Sequence, residues 1–267
     1  MNDFLSKIIK NFKSTYTLIE NETLSLIEKI SDINTDVFLV DPLKSFYTDD
    51  NISILKVIIL SIVFGIILYK VGKNSFALYN EGEITSLYYL IIKTIVVVII
   101  SLNSNYILKE IIHINYMFTE VIDSFFSQIA DKEIQYTSLI KQISNIEEFL
   151  NDQYKINIKD SSKFISCFLM ISILLVFSIR YVFVILFIIL FPFLITLILF
   201  DKGEYYFSKL FEFFMFNLLI QSINKVIIFV PIISKKEELY EIILIGSLIV
   251  LYKLNKMIIN IGDIWKK

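Results

Sequence analysis

Four cationic side chains interrupt otherwise apolar stretches of this chain: Lys56, Lys93, Arg180 and Lys225. An ionisable group on a membrane-length apolar segment is costly to bury, so it marks either an ion or proton pathway or a partner that neutralises it. Beside the last of them, Asn217, Gln221 and Asn224 recur at i, i+4 and i+7, which puts three carboxamides on one face of a helix. Carboxamides so placed bond across to a neighbouring helix, each bond contributing about 0.6–2 kcal/mol in a membrane. A proton-coupled pathway would also need an acid within a span. Glu212 falls near the start of its segment, and no Asp or Glu sits mid-span to partner Lys93. The stripe is therefore read as helix–helix bonding ahead of a solute pathway. Lys56 reads as a side chain snorkelling from a helix end, Lys93 as facing the bundle interior or a partner helix, and Arg180 as a topology anchor.

Other chemistry is sparse. The single histidine, His113, reads as a solvated polar residue and the single cysteine, Cys167, as a small hydrophobe. One thiol makes neither an intrachain disulfide nor a metal cluster. The Gly-rich phosphate loops, zinc-protease pair and serine-hydrolase elbow are all missing, so neither an enzyme nor a cofactor is expected.

The elements that must position these residues are apolar runs. The chain is 56% hydrophobic, 15% aromatic and has a mean hydropathy of +0.69 over 267 residues. Its excess apolar content collects in stretches near the roughly 20 residues a bilayer requires. With three prolines and six glycines, nothing divides the chain into soluble modules. The expected fold is all-α: a polytopic transmembrane helix bundle of about five or six spans, with amphipathic helices in the N-terminal segment and the central loop. The segments are 1–51, amphipathic; 52–103, the first two transmembrane helices; 104–162, an acidic loop with amphipathic helices; and 163–267, the C-terminal transmembrane helices.

Within 1–51, Phe4, Leu5, Ile8, Ile9 and Phe12 repeat at helical spacing, the scattered charges do not read as a signal peptide, and 40–51 reads as a loop broken at Pro42. The spans are Ile52–Tyr69, Thr85–Leu102, Phe207–Pro231 and Tyr240–Ile259, with the last too short in its uncharged core to assign firmly to the bilayer. Lys93 does not forbid the second span. A central Lys costs about 2.5–3.5 kcal/mol, and the segment's eleven Ile, Leu and Val return roughly 3–7 kcal/mol on the same scale. In the central loop, Phe118, Val121, Ile122, Phe125, Phe126 and Ile129 form one apolar stripe, and Leu139, Ile143, Ile146 and Leu150 form another. The stretch 164–200 would be about 55 Å long as one helix, against a hydrocarbon core of about 30 Å. It is therefore divided at Arg180 into Phe164–Ile179 and Tyr181–Phe200, although Ser178–Tyr181 carries no turn residue, and one long helix shielded by partners is the alternative. Pro192 is expected to kink the second half.

Charge favours one orientation. Residues 1–51 and 104–162 each hold five Lys against nine acids, while the connectors carry Lys70 and Lys73, then Arg180, then Lys235 and Lys236. Positive-inside reasoning places those connectors in the cytoplasm and the acidic segments outside. The acidic balance also argues against tight nucleic-acid binding by either segment.

The order of these features, together with IRYVFVILFIILFPFLITLILF (179–200) and FFMFNLLIQSINKVIIF (213–229), resembles the TrbL-type polytopic subunit of bacterial conjugative type IV secretion systems. Arg180, Pro192 and Gln221 are the positions that match its pattern. The resemblance implies a multi-pass scaffold of the translocation channel in the bacterial cytoplasmic membrane. Its implied partners are the lipid bilayer, other channel subunits, secretion ATPases, further copies of itself and, transiently, a DNA–protein substrate. This chain departs from the family in replacing Ala and Gly by Ile and Phe and in its acidic loop. A solute permease or channel of another family is the alternative.

Overall fold

The apolar runs are helices, because a backbone in lipid can satisfy its hydrogen bonds only within itself. The computed structural model describes residues 30–81, 87–130, 158–200, 202–234 and 240–264. Among them are seven helices: α1 (Asp41–Phe46), α2 (Asp49–Glu81), α3 (Leu87–Leu102), α4 (Ser104–Ala130), α5 (Ile158–Leu194), α6 (Gly203–Ile233) and α7 (Tyr240–Ile264), with 3-10 turns at Thr35–Leu39 and Ile195–Leu199. The expected amphipathic stretches at 4–12 and 139–150 lie outside the described residues. The stretch 40–51 is not a loop. Pro42 sits in the first turn of α1, where its missing N–H would have no helical partner in any case.

Among the described residues, three helices are long and apolar enough to cross a membrane: Asp50–Lys73, Ile171–Leu199 and Gly203–Ile233. A fourth crossing results if the pair Tyr89–Leu102 and Ser104–Ala130, bent by 68°, counts as one broken span. The chain is thus an all-helical, multi-pass membrane protein, with fewer crossings among the described residues than the apolar runs predict.

The expected span Tyr240–Ile259 is not among these helices, and 164–200 is not a pair. At Arg180 there is no turn: α5 continues through it without a break for 37 residues. α3 is described from Leu87 to Leu102. It ends at Asn103, whose backbone N–H and side-chain Nδ2 both donate to the Ile99 carbonyl, at 3.2 and 2.8 Å. Such local bonding by Asn competes with the helical ladder and marks the bend.

Contacts divide the chain into two units. One is built from Asn34–Asn115 and Val182–Leu218. Here α2 buries the stripe Leu55, Ile59, Val63 and Ile66 and leaves Val57, Phe64 and Leu68 exposed for acyl chains to cover. The end of α5 and the start of α6 form an antiparallel hairpin closed by stacked rings. Phe187 lies on Phe214 at 4.2 Å, Phe183 meets Phe213 edge-on at 4.4 Å, and Phe191 meets Phe207 at 6.1 Å. Its turn requires Gly203, since a Cβ there would overlap the Leu197 carbonyl.

Pro192 does not break α5; the α-helical ladder gives way to the 3-10 turn only after Leu194. Its ring leaves the carbonyl four residues earlier, that of Ile188, without a helical donor. The Tyr47 hydroxyl donates to that Ile188 oxygen at 3.0 Å. Burial pushes the Tyr47 phenol up from its ordinary value.

Two predictions follow from this architecture. A folded state that holds the Tyr47 proton more tightly than the unfolded chain keeps its full contribution below about pH 10 and loses stability as pH rises above that value. Tyr47→Phe is expected to remove this alkaline loss and to cost about 1–3 kcal/mol at neutral pH, because a buried carbonyl loses its donor. Thermal unfolding in detergent checks both effects, and Pro192→Ala, which restores the N–H, should shrink the cost. The second concerns topology. With α5 and α6 each crossing once, Lys159 and Ser234 lie on the same side. On a Cys167→Ser background, Lys159→Cys and Ser234→Cys should label from the same face of sealed membranes; labelling from opposite faces would restore a turn at Arg180.

Candidate functional site

The second unit comprises Met1–Ile33, Tyr116–Tyr181 and Leu219–Lys267. In it α4 and α6 run parallel. Thr119 meets Ser222 with hydroxyls 2.8 Å apart, Asp123 Oδ2 accepts from Lys225 Nζ at 3.4 Å, and the rings of Phe126 and Phe229 lie 4.6 Å apart. α7 runs antiparallel to α6. Asn224 pairs with Asn255, and beyond that pair an apolar cluster joins Ile228 and Ile232 to Leu244, Leu248 and Leu251, together with Ile173 and Phe177 of α5.

Next to this apolar cluster lies a buried polar layer. The two carboxamides of Asn224 and Asn255 donate to each other at 3.1 and 2.8 Å, and Asn255 Nδ2 also donates to the Leu251 carbonyl at 2.8 Å. Arg180, 2% exposed, donates to the Ser31 carbonyl at 2.7 Å and to Asn255 Oδ1 at 3.5 Å, and its guanidinium lies 5.5 Å from the centre of the Phe177 ring. Gln221, fully buried, accepts from the Ile33 N–H at 3.2 Å and donates to the Ile33 carbonyl at 3.3 Å and to Thr119 Oγ1 at 3.2 Å. Lys225 makes its closest contact with Asp32, at 2.7 Å. Two cations and two carboxylates make the layer formally neutral, which is the condition for keeping charges out of water.

The layer corrects three expectations. Arg180 is not a topology anchor in a connector but an interior donor. The carboxamide stripe is divided: Gln221 and Asn224 enter the layer, while Asn217 belongs to the other unit. There its Nδ2 donates to the Phe213 carbonyl of its own helix at 3.0 Å, and its buried Oδ1 accepts no hydrogen bond. Acids within reach of the cations do exist. Lys93 pairs with Glu204 at 3.0 Å, also in the other unit, and Lys225 has two carboxylates. Pro192 belongs to the other unit.

Sequence reading missed Ser31, Asp32, Thr119, Asp123, Ser222 and Asn255. One signal was available: Thr119, Asp123 and Phe126 match the spacing of Ser222, Lys225 and Phe229 almost residue for residue, as two parallel helices in register require. Among the described residues, no three of His, Cys, Asp and Glu cluster to hold a metal. The layer's groups are donors and acceptors fitted to one another, a chemistry that fixes helices and grips a backbone.

Burial sets the expected sizes. Lys225→Met should cost about 3–5 kcal/mol, because it leaves two carboxylates facing each other inside the protein. Lys93→Met should cost no more than about 1 kcal/mol, since the Glu204 side chain is 66% exposed. Asn224→Ala and Asn255→Ala should be strongly non-additive, with a coupling of about 1–2 kcal/mol in a double-mutant cycle. No family model, curated protein or solved structure matches the chain, so this layer is read from its own geometry.

Proposed function

We propose that the chain is a structural subunit of a conjugative type IV secretion channel in the bacterial cytoplasmic membrane, supporting DNA–protein translocation and having no catalytic role. The observation that carries this reading is the convergence of Arg180 and Gln221. Both are positions of the TrbL-type resemblance, both are buried, and they hold the two ends of one short segment, Arg180 at Ser31 and Gln221 at Ile33. Residues that hold a segment in place serve a scaffold. In this role the protein self-associates and works beside secretion ATPases and other membrane subunits. Contact with the transferred substrate is transient.

The second reading is a solute permease or channel. It draws on the Lys225–Asp32–Asp123 cluster, since charges on membrane helices commonly line ion pathways. Against it, Lys225 is closely paired and its side chain only 5% exposed.

Tagged protein solubilised from its native membrane should carry secretion ATPase with it. Donor cells lacking the gene should lose DNA transfer and regain it with the intact chain but not with Gln221→Leu. Undiminished transfer in the deletion, together with solute flux through the purified protein in liposomes that Lys225→Met abolishes, would replace this reading with the second.

A further inference from the structure

The three side chains that hold Ser31–Ile33 share a property. Each has one partner on that segment and a second partner on a helix. Lys225 reaches Asp32 at 2.7 Å and Asp123 at 3.4 Å. The Gln221 amide nitrogen reaches the Ile33 carbonyl at 3.3 Å and Thr119 at 3.2 Å. Arg180 reaches the Ser31 carbonyl at 2.7 Å and Asn255 at 3.5 Å. A permanent staple would leave unpaired buried charges behind on departure, a large penalty. Here each clamp keeps a hydrogen-bond partner on a helix, and the departure of Asp32 leaves two cations with one carboxylate, an imbalance that an incoming acidic side chain restores. The fit of the segment is also incomplete: Asp32 Oδ1 is buried and accepts no hydrogen bond.

The contacts define what the slot reads. Gln221 pairs with both the N–H and the C=O of Ile33, so it recognises the backbone just beyond the helical Ser31 and the bend at Asp32. Lys225 takes an acidic side chain just before that residue, and the residue's own aliphatic side chain is fully buried.

We propose that Ser31–Ile33 is a displaceable strap in a peptide-binding slot, and that the vacated slot takes a short segment with the same bend, bearing an acidic residue followed by an aliphatic one. On release the clamps fall back on Asp123, Thr119 and Asn255, so the bundle stays closed. The proposal does not depend on the secretion reading.

The test uses the full chain in detergent on a Cys167→Ser background. Asp32→Lys sets two ammonium groups against each other and should evict the strap. Maleimide labelling of Ile33→Cys should then rise by roughly ten- to a hundredfold, the effect of losing one charge-assisted hydrogen bond. Leu251→Cys, in the apolar cluster, should stay protected. The milder Asp32→Asn should give an intermediate rate. A fluorescent peptide of residues 30–35 should bind the Asp32→Lys chain at least about tenfold more tightly than the parent, whose own strap competes at high effective concentration. That binding should be lost in Asp32→Lys/Gln221→Leu. If Leu251→Cys becomes labelled together with Ile33→Cys in both Asp32 variants, the strap is an inseparable part of the bundle and the proposal fails. It fails equally if Ile33→Cys labels no faster, or if the peptide does not distinguish the variant from the parent.

Discussion

A charge carried on an apolar helix must find its counterpart inside the protein. Moving an ion out of water costs several kcal/mol, more than any single packing contact returns. Arg180 and Lys225 impose this constraint on two long helices, and one unit is arranged to meet it. Asp123 fixes the register of α4 against α6. Asn255 fixes α7 against both α5 and α6, and the strap enters because its carbonyls and its carboxylate complete the set. The apolar cluster of Ile173, Phe177, Ile228 and the α7 leucines then packs in the registers the polar pairs permit.

The other unit solves a different problem with different means. Its hairpin of α5 and α6 is held by phenylalanine rings, which contribute area and edge-to-face attraction and carry no obligation to be hydrogen-bonded. The carbonyl freed by Pro192 is answered from outside its helix, by the Tyr47 hydroxyl. Lys93 sits at the margin, paired to an exposed Glu204, and asks little of its surroundings.

How much of this was legible in the sequence depends on range. Hydropathy located α2 and α6 well, because a run such as Ile52–Tyr69 or Phe207–Pro231 needs no partner to be recognised as a span. Periodicity could not tell one helix of 37 residues from a hairpin at Arg180, since both present the same apolar composition. The lack of a turn residue in Ser178–Tyr181 was the better guide than the length limit, because a helix that carries an interior polar layer need not be covered by lipid alone. Gln221 and Asn224 were legible as bonding residues from their spacing. Asp32, lying about 190 positions before Lys225 in an acidic, polar stretch, carried no local mark of its role. The acids seemed missing only because they lie outside the apolar runs.

The strap has a consequence for biogenesis. Ser31 and Ile33 leave the ribosome early, yet their partners Arg180 and Gln221 lie 149 and 188 residues later in the chain. Asn255 comes later still. For the 75 residues between Arg180 and Asn255 the nascent protein therefore holds an arginine in an apolar helix without its second native acceptor, and domains assembled in this order depend on being shielded meanwhile. The insertion machinery must tolerate Arg180 as a provisional resident of the membrane, and truncation just short of α7 would leave it and Asn224 in that provisional state, a natural target for membrane quality control.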